Sequence, residues 1–343
     1  MPSNRLDYID VAKGIGILLV VWAHILVVGP SHQLIYAFHM PLFFFVSGLL
    51  FNSGKYPSFV SFVKIRAKRL LLPYVIYSIV TWMIWAGFRY LRGDAVDSYW
   101  MPLLQTFIAQ GSGAYIVHNS ALWFIPCLFA VEVLYYFVRK AKGFFPLLIC
   151  IIIAGINSLL IRRFGKNYLF MLPWNLDAAF YALPFYSVAN LIRNKVGLLE
   201  IQEKVSDNKC LTFFCLAVLS VALCFLSFNY GECSMGSSSY MCPDYVFFAR
   251  AFVGIAALMM ISLLICSFDL QWVISPMAWC GENSLDIMCL HIPIKGVVII
   301  LICKLMHPLV DVSSSSLYSA LAFAITMGAI VPLVLCINKF IRK

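Results

Sequence analysis

Ten apolar stretches, each close to the length that carries a helix across a bilayer, dominate the sequence and dictate what it can fold into. With about 20 apolar residues needed per span, they fall near 11–29, 34–51, 70–88, 121–138, 144–161, 177–192, 210–228, 246–267, 283–303 and 317–337. In hydrocarbon every backbone N–H and C=O must find its partner within the protein, and for single runs of this length that means α-helix. The expected fold is all-α, a polytopic integral membrane bundle of about ten transmembrane helices. Composition agrees, because 62% of the 343 residues are hydrophobic and 12% charged, too few charges to clothe a soluble domain.

Charge sets the expected orientation. Ten spans put both termini on one side. With the N-terminus inside, 16 of the 25 Lys and Arg fall in inner segments, among them Arg5, Lys64, Arg66, Lys68, Arg69, Arg342 and Lys343. Six fall outside (Arg89, Arg92, Arg162, Arg163, Lys166 and Lys304), while Lys13, Arg250 and Lys295 lie within spans. That bias puts both termini in the cytoplasm. The net charge of +10 is spread over these short segments rather than gathered on one soluble face, so nucleic acid is excluded as a partner. No small-x-small cleavage site follows the first span, which is expected to remain in the fold. The longest outer segment, 89–120, is expected to form a re-entrant or interfacial cover over the outer mouth. Residues 1–343 therefore read as a single transmembrane domain whose chemistry must come from helices and short loops.

The twelve cysteines are mostly scattered through apolar spans, where a thiol packs as a small hydrophobe. Cys233 and Cys242 share an outer loop, and two readings are open: a disulfide on an oxidising side, or two free thiols. No CxxC or zinc-type spacing is present, so no metal is expected.

Polar residues inside the spans carry the functional argument. "DVAKGIGILLVVWAH", residues 10–24, contains Asp10, Lys13 and His24, and a Lys or Asp at a helix centre costs roughly 2.5 to 3.5 kcal/mol on insertion scales. Lys13 and His24 are eleven residues apart, so on a helix they point within about 20° of each other and lie about 16 Å apart along the axis. Asp10 falls within about 40° of His24. A shared ionisable face points to a polar cavity or pathway; the plainer alternative is an interfacial Asp10–Lys13 pair with His24 as a packing residue.

In "FHMPLFFFVSGLLF", residues 38–51, an antiparallel hairpin about the turn near residue 31 would bring His39 to the depth of His24, and Ser47 and Gly48 form a small pair suited to close helix approach. In "KIRAKRLLLPY", residues 64–74, Arg66 and Arg69 share a helix face flanked by Lys64 and Lys68. This cluster reads either as a positive-inside signal or as a clamp for phosphates, whose oxygens guanidinium forks match. "ALWFIPCLFAVE" supplies Trp123 as an interfacial anchor and Glu132, which needs a partner, as do Asp177 and Arg250. "GENSLDIMCLHIPI", residues 281–294, brings Asn283, Ser284 and His291 to the ninth span as hydrogen-bonding groups.

Taken in order, "RLDYIDVAKGIGILLVVWAH", "HMPLFFFVSGLLF", the "RAKR" pair before "LLLPY", "LWFI" and "GENSLDIMCLHIP" resemble acyltransferase family 3, the integral membrane O-acyltransferases that include fucose 4-O-acetylase-like and surface-glycan O-acetyltransferases. The resemblance implies transfer of an acetyl group from cytoplasmic acetyl-CoA to a hydroxyl of an envelope glycan or lipid-linked sugar. It also implies a multi-pass protein of the bacterial cytoplasmic (inner) membrane. His24 matches the family's essential histidine and Lys13 its basic partner, with Asp10 beside it; relatives often carry Arg where Lys13 stands. Arg66 and Arg69 match the pair associated with the coenzyme A side, and Lys68 joins them. His39, Ser47, Trp123, Glu132, Asn283 and His291 are the remaining residues expected to meet substrate. No hydrolase-like extracytoplasmic domain is expected beside the membrane domain.

An uncharged imidazole at residue 24 can act as general base for the attacking hydroxyl, or can itself accept the acyl group; the sequence leaves both open. A transporter or flippase using the same polar stripe without covalent chemistry is the alternative class, and a membrane-embedded sensor is a third. Acceptor identity, acyl length and oligomeric state are not readable from these residues.

Overall fold

In the computed structural model all ten apolar stretches are helical, and the residues described are 6–26, 29–109, 116–165, 172–237, 239–306 and 315–340. Arg5, Lys166, Arg342 and Lys343, used in the charge argument, lie outside them. The helices are α1 Asp7–Ile25, α2 Pro30–Tyr36, α3 His39–Leu50, α4 Phe59–Arg92, α5 Met101–Gln105, α6 Phe124–Val138, α7 Phe145–Phe164, α8 Leu176–Lys195, α9 Leu198–Asp207, α10 Lys209–Phe228, α11 Asp244–Ser267, α12 Gln271–Glu282, α13 Ser284–Met306 and α14 Ser316–Phe340. Two short strands, β1 Cys233–Ser234 and β2 Ser239–Tyr240, pair with each other.

Among the described residues nine helical stretches are long and apolar enough to cross a membrane. The expected sixth span is present as α8, but Asp177, Arg193, Lys195 and an internal Pro184 leave it less apolar than the others. Parity makes α8 decisive for orientation: if it crosses, the termini share a side, and if it does not, they face opposite sides.

Three features differ from the sequence-based expectation. The third span, α4, begins at Phe59 rather than near residue 70, because Ser58 caps it with its Oγ accepting from Ser61 N at 3.2 Å, and nothing between there and Leu70 breaks a helix. At 34 residues it is about 51 Å long, so the basic run 64–69 lies on the helix itself, in its second and third turns. Second, the expected span 34–51 starts earlier, at Pro30, and has a short irregular turn at Ala37 and Phe38 between α2 and α3, while remaining one stretch long enough to cross. Third, α12 and α9 occupy stretches expected to be loops.

The chain divides into two compact units. One comprises Met1–Val46, Ile192–Cys233 and Tyr240–Lys343, the other Ser47–Leu191 and Ser234–Ser239.

The first unit is organised about α1. Val11, Ala12, Ile17, Val21 and Ala23 are fully buried, and α11, α12, α13 and α14 all pack on this helix. The closest approach is to α12. A Cβ placed on Gly14 would lie 1.9 Å from the carbonyl oxygen of Met277, and one on Gly281 would lie 1.9 Å from that of Asp10. Only glycine at both positions lets the two backbones meet.

In the second unit, α4, α6 and α8 surround an aromatic cluster. Phe62 stacks on Tyr136 at 4.8 Å between ring centroids, and Tyr135 lies 4.9 Å from Tyr186. The Asn190 side chain donates to the carbonyls of Gly48 (3.3 Å) and Phe51 (3.1 Å), tying α8 to the C-terminal end of α3. A Cβ on Gly48 would lie 2.3 Å from the Tyr186 carbonyl oxygen, so the small pair Ser47–Gly48 does serve close packing. The segment after α4 folds back on this unit, where Tyr74 donates to Thr106 O (2.6 Å) and Trp82 to Tyr99 O (2.7 Å). Residues 110–115 of that segment are outside the described residues.

Candidate functional site

The site in the first unit is built from α1 and α13. His24 lies in the last turn of α1 and is half-buried. Its Nδ1 is 2.8 Å from the carbonyl oxygen of Val20, one turn earlier. A carbonyl can only accept, so Nδ1 carries the proton and Nε2 keeps its lone pair. The backbone of α1 thus fixes both tautomer and ring plane, and Nε2 is the nitrogen left for chemistry.

Two residues of α13, one turn apart, converge on this histidine. The rings of His24 and His291 meet edge to face with centroids 4.9 Å apart. His291 is fully buried, with Nδ1 2.8 Å from Met288 O, and its Nε2 has no hydrogen-bond partner among the described residues. Lys295 donates from Nζ to the main-chain oxygen of His24. That oxygen is one of the last carbonyls of α1, which the helix cannot satisfy itself. An ammonium with three donors caps it and retains others.

The sequence reading paired His24 with His39 across the α1–α3 turn. The ring against His24 is His291 instead. His39 is buried with Nδ1 2.8 Å from Ile35 O, and its ring lies 4.8 Å from Tyr36. His39 nonetheless lies within electrostatic reach of His24, as the hairpin argument expects. Lys295 was passed over; its i+4 spacing from His291 was the available signal. Asp10 and Lys13 are half-buried and paired with each other, Nζ to Oδ1 at 3.2 Å.

Asn283 accepts from Asn338 Nδ2 at 2.7 Å and donates to Trp279 O at 2.8 Å, a buried structural link between α13 and α14. Arg250 is buried and donates to Gly231 O at 3.0 Å.

The second unit holds the basic cluster. Arg66 turns inward from α4 and forks onto Glu132 of α6, Nε to one carboxylate oxygen and NH2 to the other. Glu132, buried in its span, has the partner it required. Lys64, Lys68 and Arg69 are exposed. Arg66 and Arg69 therefore do not form one open clamp, since one guanidinium fork is engaged on Glu132 and the other is exposed. Trp123 is buried rather than interfacial, with its indole against Gly236, where a Cβ would lie 2.6 Å from Nε1. Ser47 is half-buried. Outside the spans, His118 is buried with neither ring nitrogen hydrogen-bonded among the described residues, and burial pushes its pKa down to about 4.

Together these features define a multi-pass, helical membrane protein with a tautomer-fixed imidazole beside a lysine and a second histidine. A family model described as an acyltransferase domain matches residues 6–335, and the chain belongs to that family, acyltransferase family 3. It is also similar to the nodulation protein NolL of Mesorhizobium japonicum (strain LMG 29417 / CECT 9101 / MAFF 303099), with 29% identity over 240 residues. That match covers 66% of this chain and spans only 57% of the relative's length. No solved structure matches the chain.

Proposed function

We propose that the protein is a membrane-embedded O-acetyltransferase that moves an acetyl group from cytoplasmic acetyl-CoA to a hydroxyl of an envelope glycan or lipid-linked sugar in a bacterial inner membrane. Membership of the acyltransferase family supports the reaction class. The observation that carries the mechanism is the contact of His24 Nδ1 with Val20 O, which leaves the lone pair on Nε2.

In this reading Nε2 of His24 takes the proton of the acceptor hydroxyl as its oxygen attacks the thioester carbonyl. The carbonyl π electrons move to oxygen, and the ammonium of Lys295, anchored at the same residue, stabilises the oxyanion. Collapse breaks the C–S bond, and coenzyme A leaves as thiolate, taking the proton from the His24 imidazolium. His291 holds the His24 ring from its edge. Lys68 and Arg69, exposed on α4, meet the donor's phosphates, and Arg66, tied to Glu132, positions the helix that presents them. Asp10 and Lys13 shape the inner vestibule on the donor's route.

The test replaces His24 with Ala and follows acetyl transfer from labelled acetyl-CoA in membranes carrying equal amounts of folded protein. Loss of transfer is the expected outcome. Undiminished transfer removes His24 from the mechanism.

A further inference from the structure

The loop joining α10 to α11 is held in several places within the first unit. Gly231 O accepts from Arg250 NH1 at 3.0 Å, Glu232 Oε2 lies 3.2 Å from His32 Nδ1, and Met241 N donates to Glu232 O at 3.3 Å. The strands β1 and β2 pair just beyond that last bond, and at their base the Sγ atoms of Cys233 and Cys242 approach to 3.0 Å. That is closer than two unbonded sulfurs pack, and both thiols are buried, Cys233 at 1% exposure and Cys242 at 8%.

We propose that Cys233 and Cys242 are joined as a disulfide that clips this hairpin closed, formed by exchange with a disulfide-carrying thiol oxidase as the loop folds. The proposal rests on the sulfur geometry and not on the acyl-transfer reading. With all ten expected spans crossing and both termini inside, as the charge bias favours, this loop lies on the outer side, where such oxidants operate.

The local chemistry supports the exchange. Arg250 is 1% exposed, and its Nε and NH2 have no hydrogen-bond partner among the described residues, so its charge is available to a neighbouring anion. The hydrogen bond from Cys242, with Arg250 adding to it, holds the Cys233 thiol down at about 7, and the same hydrogen bond raises that of Cys242. Cys233 is therefore the first nucleophile. Its thiolate attacks one sulfur of the carrier disulfide, forming a mixed disulfide and releasing one carrier thiolate. Cys242, giving up its proton, then attacks Cys233 Sγ and expels the second carrier sulfur. The two cysteines lose two electrons and two protons, and the carrier gains them as a dithiol.

Burial has two consequences. Exchange must take place after the two thiols and Arg250 have met but before the loop's cover closes over them, and the finished bond is shielded from reductant in the folded protein. The clip also fixes the backbone on which Glu232 meets His32.

To test this, protein from native membranes is denatured in excess N-ethylmaleimide without reductant, digested and mapped by mass spectrometry. The expected result is a cross-linked Cys233–Cys242 peptide lighter than the dithiol by two hydrogens, with no maleimide on either residue. A Cys242→Ser variant should expose Cys233 to the reagent. Maleimide on both residues of the unmodified protein, or either cysteine bonded elsewhere, overturns the proposal. Amide exchange over 231–241 should rise about tenfold or more in Cys233→Ser/Cys242→Ser protein; an unchanged rate refutes the clip's hold on the loop.

Discussion

Replacing Arg66 with Met should destabilise the protein severely, and replacing Glu132 with Leu in the same chain should restore it. Glu132 has a side-chain exposure of 2% and Arg66 of 20%, and the two are joined by a fork of hydrogen bonds between α4 and α6. Removing one partner leaves the other's charge buried and unanswered, which costs about 3 to 5 kcal/mol, whereas exchanging both for apolar groups of similar volume is often neutral or better. At about 1.4 kcal/mol per decade, the single change shifts the folded-to-unfolded ratio by roughly two to three and a half orders of magnitude. Thermal unfolding in detergent, followed by size-exclusion of the surviving monodisperse fraction, reads this directly. The rescued double variant then allows a functional measurement that Arg66→Met alone does not. If Arg66 is a positioning residue, the donor KM of the double variant stays near the parent value, while Lys68→Ala/Arg69→Ala raises donor KM more than acceptor KM. An Arg66→Met protein as stable as the parent, or a double variant no more stable than the single, would refute the buried-pair reasoning. A well-folded double variant with a strongly raised donor KM would return Arg66 to the coenzyme's phosphates.

Three further outcomes follow from the geometry. Lys295→Met should lower kcat by about 10²- to 10³-fold with little change in donor KM, and Lys295→Arg should recover part of it, as expected for one lost oxyanion donor; equal effects of both changes on stability alone would mark Lys295 as only a helix cap. Gly281→Ala forces a methyl into the Asp10 carbonyl 1.9 Å away and should cost about 3 kcal/mol or more, so a parent-like melting temperature would show that α1 and α12 are not in contact. For His118, held down at about 4 by burial, the unfolded chain binds the proton first as pH falls. Stability should therefore decline from about pH 6.5 to about pH 4, by about 3 kcal/mol from this residue; melts of the parent and of His118→Leu across that range should differ in slope, and parallel curves would refute the assignment.

Much of the architecture was legible in the residues because lipid is an unforgiving solvent. Runs of about 20 apolar residues have one way to satisfy their backbone, so every expected span is a helix, most within a few residues of its expected ends. The ordered motifs also carried the family, which the match over 6–335 bears out. Boundaries failed where polarity misled: the basic run at 64–69 looked like a membrane edge, yet Ser58 caps a helix that passes straight through it. The amphipathic α9 and the Pro-containing α12 were hidden because neither is long enough to read as a span.

What the sequence determined by itself was a set of helices and the ionisable groups along each, since one-dimensional periodicity fixes which residues share a face. It marked His24, Arg66 and Glu132 as needing explanation. Their partners were decided only by tertiary packing. His291 and Lys295 reach His24 from a helix more than 260 residues later in the chain, and Arg66 meets Glu132 across 66 residues. No local spacing encodes such meetings, because they depend on which helix faces dock. Here that choice turns on steric details such as Gly14 and Gly281, where the absence of a side chain lets two backbones touch.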